Sequence, residues 1–220
     1  MIRGAIIDLD GVLLDSLSIW YDLGARYILR LGMQPVPGMS ETLFSMSMEQ
    51  GAAYLQSTFQ LGKSTEEIID DLEQILKDYY YREVPAKEGA GELLAFLKEQ
   101  GMKMAAATSS PRPHVIEALK RLGLLPYLQV IYTTGEVGKS KHSPEIYELA
   151  AQSLGFAPEK ILVFEDSLYA LKTAKTAGFR CVGVYDAQGE SDQKGLEETA
   201  DTYLHTLKEL PLKWDELYIS

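Results

Sequence analysis

The chain has 220 residues, 46% of them apolar and 24% charged, which supports a folded core and excludes a disordered polymer. Asp and Glu outnumber Lys and Arg by 32 to 21, giving a formal net charge of −11. That balance excludes a general affinity for nucleic acid or an anionic membrane, but not a small anionic substrate held by a few local cations. The single cysteine, Cys181, cannot form an intrachain disulfide, and its apolar surroundings at 180–185 predict a buried, reduced thiol. His114, His142 and His205 stand far apart, with no Cys/His zinc spacing around them. No apolar run approaches the ~18 residues of a membrane span. Asp8 and Asp10 interrupt the N-terminal apolar stretch, which argues against a signal peptide, so a cytoplasmic address is the default expectation.

In chain order, the first apolar run, 2–9, predicts a buried strand. From about residue 16 to 82 no strand pattern follows. Three helical stripes occupy that stretch instead: Trp20, Leu23, Tyr27 and Leu31; Met48, Ala52, Leu55 and Phe59; Ile68, Leu72, Ile75 and Tyr79. Pro35, Pro37 and Gly38 separate the first from the second, and Gly62 separates the second from the third. Ser64 and Glu67 open the third with the spacing of a capping box. An ordinary strand–helix–strand unit takes roughly 30 residues, so this longer stretch reads as a helical insertion in the first crossover. The expected division is an α/β core of 1–15 and 83–220, with a helical cap domain of 16–82.

Beyond the insertion, apolar runs at 102–107, Val130–Thr133, 161–164 and 181–185 alternate with amphipathic segments. Glycines close several of those segments, at Gly101, Gly123, Gly155 and Gly178. Nearly continuous apolar strands between helices predict a buried parallel sheet, an α/β Rossmann-like core.

Ligands in such sheets bind beyond the C-terminal strand ends. The first strand ends in Asp8-Leu9-Asp10-Gly11, the second in Thr108-Ser109-Ser110, and the 161–164 strand in Glu165-Asp166-Ser167. Lys141 falls in the loop after Val130–Thr133. Each has a plain reading taken alone: a turn aspartate, capping hydroxyls, a helix-terminal acid, a solvated lysine. Their convergence does not. Four acids at one edge repel unless a divalent cation joins them, and carboxylates with main-chain oxygen are hard ligands suited to Mg²⁺.

These residues, in this order, resemble the haloacid dehalogenase superfamily of phosphatases and mutases. The match runs through Asp8-Leu9-Asp10-Gly11-Val12, Thr108-Ser109-Ser110, Lys141-His142-Ser143-Pro144-Glu145-Ile146-Tyr147 and Phe164-Glu165-Asp166-Ser167. The insertion is similar to the cap of the subgroup containing β-phosphoglucomutase and phosphoglycolate phosphatase. One departure is Ala170, where relatives often have Gly. The resemblance implies that Asp8 is the nucleophile forming an aspartyl phosphate, and that Asp10 protonates the leaving oxygen and then takes a proton from water. It implies Mg²⁺ on Asp8, the Asp10 main-chain carbonyl and Asp166, with Thr108, the main chain near Ser109, and Lys141 holding phosphate oxygens. Glu165 reads equally as a partner of metal-bound waters or as a helix-terminal acid.

The expected function is a Mg²⁺-dependent phosphatase acting on a small phosphorylated metabolite, with a monomer as the default oligomeric state. A dehalogenase would need neither a metal nor Asp10. A phosphonatase would need a cap lysine for a Schiff base, and Lys63 and Lys77 sit in no motif. A receiver-type signalling module also gathers acids, a hydroxyl and a lysine, yet leaves the Asp-x-Asp pair and the insertion unexplained. A sugar phosphomutase shares every core residue, but needs a second anion site in the cap. Residues 40–51 hold no Arg or Lys, Trp20 stands where relatives place a His, and the only cap arginines are Arg26, Arg30 and Arg82. Met39, Met46 and Met48 read either as lining of an apolar cleft or as filling of the cap core.

Overall fold

The computed structural model describes residues 2–44 and 46–218. Strand β1 is Gly4–Ile7, shorter than the apolar run that predicts it. The chain leaves the sheet at Asp8 and winds into a compact turn, in which the Leu13 and Leu14 amides both donate to the Leu9 carbonyl, at 2.9 and 2.7 Å. Gly11 takes a φ of 81° there, a conformation that a Cβ would resist. Leu14 then pairs with Ala86 in an antiparallel bridge, and the Asp15 amide donates to the Pro85 carbonyl at 3.1 Å. Two compact units result. One takes residues up to Ser16 together with Val84 onward, and the other is Leu17–Glu83.

The second unit holds α1 (Ser18–Arg30), α2 (Met39–Phe44), α3 (Met48–Phe59), α4 (Thr65–Asp78) and a wide helical turn at Tyr79–Glu83. Ser64 and Glu67 form the expected reciprocal cap at α4. Ser47 and Gln50 form a second one at α3, satisfying amides that would otherwise lack partners. Leu23, Tyr27 and Ile28 of α1 are buried, as are Leu55 of α3 and Leu72 and Ile75 of α4. A cavity of about 230 Å³ remains among them, lined by Trp20, Leu23, Phe44, Met46, Met48 and Leu72. Met39 is buried, while Met46 and Met48 line this cavity within the helical unit. The six-residue α2 has no counterpart in the sequence patterns.

The first unit continues through α5 (Ala90–Glu99), β2 (Lys103–Thr108), α6 (Arg112–Arg121), β3 (Val130–Thr133), α7 (Thr134–Val137) and α8 (Glu145–Leu154). It closes with β4 (Ile161–Glu165), α9 (Leu168–Thr176), β5 (Arg180–Val184), α10 (Gln193–Thr199), β6 (Thr202–Leu204) and α11 (Leu210–Lys213). All strand pairs are parallel, in the order β3-β2-β1-β4-β5-β6, which makes an α/β Rossmann-like sheet. Ile6 faces Ala105 on one side and Val163 on the other, and all three are fully buried. Burying an Ile or Val side chain contributes roughly 1.5–3 kcal/mol. A one-residue slip would turn this layer to the opposite face, so the layer fixes the register. Helix α8 covers β1, β2 and β3, while α9 covers β4 and β5. Among the described residues, no helix is long and apolar enough to cross a membrane.

This order places a topological switch between β1 and β4: the chain builds outward from β1 in one direction, then returns to build in the other. Crevices at such points are where open α/β sheets bind ligands.

Candidate active site

Asp8 follows β1 directly, and Glu165 and Asp166 sit at the end of β4, so the switch point brings three carboxylates together. Each offers an oxygen within 4.8 Å of the others. All three are buried, with exposures of 6, 1 and 7%. Glu165 is the last residue of β4, and α9 begins only at Leu168, so the helix-terminal reading of this acid is wrong.

Lys141, from the turn before α8, is 3% exposed and donates to Asp8 Oδ1 and, at 2.7 Å, to Glu165 Oε1. Glu165 Oε1 also accepts from the Tyr147 hydroxyl at 2.7 Å. Buried acids near one another resist ionisation. Burial raises Asp8 well above the usual carboxylate range against the pull of Lys141, with Glu165, Asp166 and Asp10 adding to the rise. Burial and then the Glu165 charge push Asp166 up to about 7, opposed by Lys141 and Lys87. Burial alone would lower Lys141, but the charges of Asp8 and Glu165 outweigh it and hold the ammonium protonated.

Three carboxyl groups against one lysine make a site in which a further cation would let the acids ionise together. A second observation agrees: Glu165 Oε2 is buried and has no hydrogen-bond partner among the described residues. An orphaned buried carboxylate oxygen is costly unless something fills that place. The donor set is entirely hard oxygen, which fits Mg²⁺.

Asp10 is held differently. Its Oδ1 accepts from Ser16 Oγ at 2.6 Å, and its Oδ2 accepts from Ser110 Oγ at 2.7 Å and Thr108 Oγ1 at 3.3 Å. Thr108 Oγ1 in turn accepts from the Ser110 amide at 3.0 Å. Hydroxyls both donate and accept, so the same partners can hold this side chain as carboxylate or as acid. The motif aspartates therefore have separate surroundings: Asp8 among charges, Asp10 among hydroxyls. Ser109 is exposed just beyond the end of β2.

The structure thus brings Asp8, Glu165, Asp166 and Lys141 into one cluster, with Asp10 and Thr108 in an adjoining hydroxyl network. Sequence reasoning missed Ser16, Ser110 and Tyr147 as members. Ser110 lies in a quoted motif, and Tyr147 sits on the stripe of α8 that reads simply as core.

The profile of haloacid dehalogenase-like hydrolases matches residues 5–184. A phosphorylated carbohydrates phosphatase from Thermotoga maritima is 29% identical over 216 residues, covering 94% of this chain and 99% of the relative. Validoxylamine A 7′-phosphate phosphatase from Streptomyces hygroscopicus subsp. limoneus is 30% identical over 220 residues, covering 99% of each. The crystal structure of a candidate β-phosphoglucomutase from Thermotoga maritima superposes with a TM-score of 0.86 at 28% identity, covering 98% of this chain and 99% of that one. The matched span runs from within β1 to the end of β5 and includes Asp8, Asp10, Glu165 and Asp166. This chain belongs to the haloacid dehalogenase-like hydrolase family.

Proposed function

We propose that this protein is a Mg²⁺-dependent phosphatase that hydrolyses a small phosphorylated carbohydrate through an aspartyl phosphate on Asp8. The observation that carries the reading is the pair of motif aspartates in contrasting environments. Asp8 is held by the Lys141 ammonium among other charges, and Asp10 by the hydroxyls of Ser16, Thr108 and Ser110. A phosphatase with a covalent intermediate needs one carboxylate that attacks and another that moves protons.

In the first step an Asp8 oxygen bonds to phosphorus while the bond to the leaving alcohol breaks, and the alcohol oxygen takes the Asp10 proton. In the second, water attacks phosphorus and gives a proton to Asp10, the Asp8–phosphorus bond breaks, and inorganic phosphate leaves. Thr108, the main chain near Ser109, and Lys141 hold the phosphoryl oxygens, where placement and charge do most of the work. Asp8, Asp166 and the Asp10 main-chain carbonyl would hold Mg²⁺, with Glu165 beside them. The ion would neutralise the acids and the incoming phosphate. Glu165 fixes Lys141, and Tyr147 fixes Glu165.

The helical unit, Leu17–Glu83, is the cap in this reading, and its apolar cavity bears on substrate choice. Two of its three arginines, Arg26 and Arg30, are held in ion pairs, which favours hydrolysis over mutase chemistry. Arg26 pairs with Glu83 at 2.7 Å and lies over the Tyr79 ring, and Arg30 pairs with Asp78 at 3.3 Å. Both are thus engaged within their own unit. The test is a panel of phosphorylated sugars and polyols with Mg²⁺, reading released phosphate, with Asp8→Asn as control. Catalytic release that vanishes in Asp8→Asn is expected. Full activity in Asp8→Asn, or undiminished activity in excess EDTA, would overturn the reading.

A further inference from the structure

The turn carrying Asp10 is gripped by a residue outside every motif. Lys87 lies where the chain returns to the sheet-bearing unit, and its main-chain amide donates to the Leu13 carbonyl at 2.9 Å. Its ammonium makes three further bonds: to the Gly11 carbonyl, to the Tyr185 carbonyl at 2.7 Å, and to Asp186 Oδ2 at 2.8 Å. An ammonium has three donors, and all three are used. The pair is well enclosed, with side-chain exposures of 15% for Lys87 and 8% for Asp186. Asp186 is oriented in its turn, since its Oδ1 accepts from the Gln188 amide at 2.8 Å.

Gly11 is the pivot. Lacking a Cβ, it has more backbone freedom than any other residue, and it immediately follows Asp10. Two contacts remove that freedom. The Gly11 amide donates to the Leu14 carbonyl at 2.9 Å, which fixes the Asp10–Gly11 peptide plane. Lys87 on the Gly11 carbonyl fixes the next plane. The turn is then tied through Lys87 to the end of β5, a segment about 170 residues further along the chain.

We infer that Lys87 is a positioning residue for Asp10: its ammonium locks the Gly11 turn against the end of β5 and keeps the Asp10 side chain aimed at the leaving-group oxygen. The inference rests on the phosphatase reading above. A residue that merely stapled the fold would, when removed, lower stability and slow every substrate alike. A residue that aims a general acid has a selective signature, because esters with poor leaving groups depend most on protonation.

The test replaces the ammonium and then restores it. Lys87→Cys is compared with the wild-type protein on phenyl phosphate and 4-nitrophenyl phosphate, which differ little in shape but greatly in leaving-group acidity. A misplacement of about 1 Å can cost on the order of 100-fold in rate. The variant is expected to lose about tenfold more kcat on phenyl phosphate than on 4-nitrophenyl phosphate, with KM little changed. Aminoethylation of the new thiol with 2-bromoethylamine rebuilds a lysine-like ammonium and should restore the ratio. Cys181 will escape the reagent, since it is fully buried and burial pushes its thiol up to about 12. Should Lys87→Cys not fold, Asp186→Asn reads the same ratio after loss of the ion pair alone. Equal losses on both esters, an unchanged ratio, or a deficit that aminoethylation leaves in place would each overturn the inference. Absence of turnover by the wild-type protein on both esters and on the panel of phosphorylated sugars and polyols would instead sink the phosphatase reading, and this inference with it.

Discussion

The Tyr147 hydroxyl donates to Glu165 at 2.7 Å with both side chains sealed from solvent. Burial and the Glu165 charge push the phenol far above its ordinary range, so it acts only as a neutral donor. A hydrogen bond to a charged group contributes about 1.5–3 kcal/mol. Tyr147→Phe should therefore lower the melting temperature, and loosen Glu165 and with it Lys141. We expect about a tenfold fall in kcat that is similar for good and poor leaving groups, because the hydroxyl acts through Glu165 and Lys141 on Asp8, the proposed nucleophile, and not on Asp10. Calorimetry and steady-state kinetics check both.

Removing the metal should destabilise the protein in a pH-dependent way. Asp166 rises from 3.8 to about 7 in the metal-free fold, first through burial and then through Glu165. Between those values the folded state binds more protons than the unfolded state, so metal-free stability falls as pH rises through that window. Mg²⁺ would reverse the loss by binding the ionised carboxylates. Melting curves in EDTA and in Mg²⁺ should show a larger Mg²⁺-dependent gain near pH ~8 than near pH ~5.5. An equal gain at both would mean that Asp166 ionises normally.

Asp10→Asn should separate proton transfer from phosphoryl capture. The amide keeps the hydroxyl contacts of the carboxylate but supplies no acidic proton. Trapping of a phosphate analogue such as beryllium fluoride on Asp8 should survive. Hydrolysis of alkyl phosphates should fall at least about tenfold more than that of 4-nitrophenyl phosphate. Equal losses would remove acid catalysis of the first step as its main role.

Hydrolysis should also prevail over isomerisation. Supplied with β-glucose 1-phosphate, catalytic glucose 1,6-bisphosphate and Mg²⁺, the protein should release phosphate and form little glucose 6-phosphate. Arg26 and Arg30 are held in ion pairs with Glu83 and Asp78, which turns them toward carboxylates of their own unit. Efficient isomerisation without phosphate release would overturn this expectation.

The Cys181 thiol should be silent in the native state. At about pH 8, four units below its value of about 12, almost none is thiolate, and no surface is exposed to a reagent. Labelling by a disulfide reagent should wait on unfolding and accelerate sharply in denaturant. Rapid native labelling would contradict the burial.

Much of this architecture was legible because the determinants are local. Strands β1 to β5 are short apolar runs, and α4 announces itself through Ser64 and Glu67. Strand β6 is three residues, Thr202–Leu204, and α2 is six, so neither is long enough to show a period. The acids and Lys141 stood out because unlike chemistry at successive strand ends is unusual. Ser16 did not, because a lone serine six residues after Asp10 carries no pattern, and Ser110 and Lys87 did not, because their meaning lies in partners far along the chain. Ser110 meets Asp10 across a hundred residues, and Lys87 meets Asp186 across ninety-nine. Tyr147 is hidden in another way: six of its seven ring carbons and oxygens are ordinary core filling, and only the hydroxyl carries chemistry.

The antiparallel bridge between Leu14 and Ala86 has a consequence for how such a chain can change. Departure and return of the helical insertion are fastened side by side before the insertion begins, by bonds that belong wholly to the sheet-bearing unit. Closing a loop costs only about 0.6 kcal/mol for each doubling of its length. Whatever is threaded between those two stubs, a long bundle or a tight reverse turn, imposes almost nothing on the strand pairings behind them. The insertion behaves as an interchangeable module, and one catalytic chassis can acquire a new clientele by exchanging it.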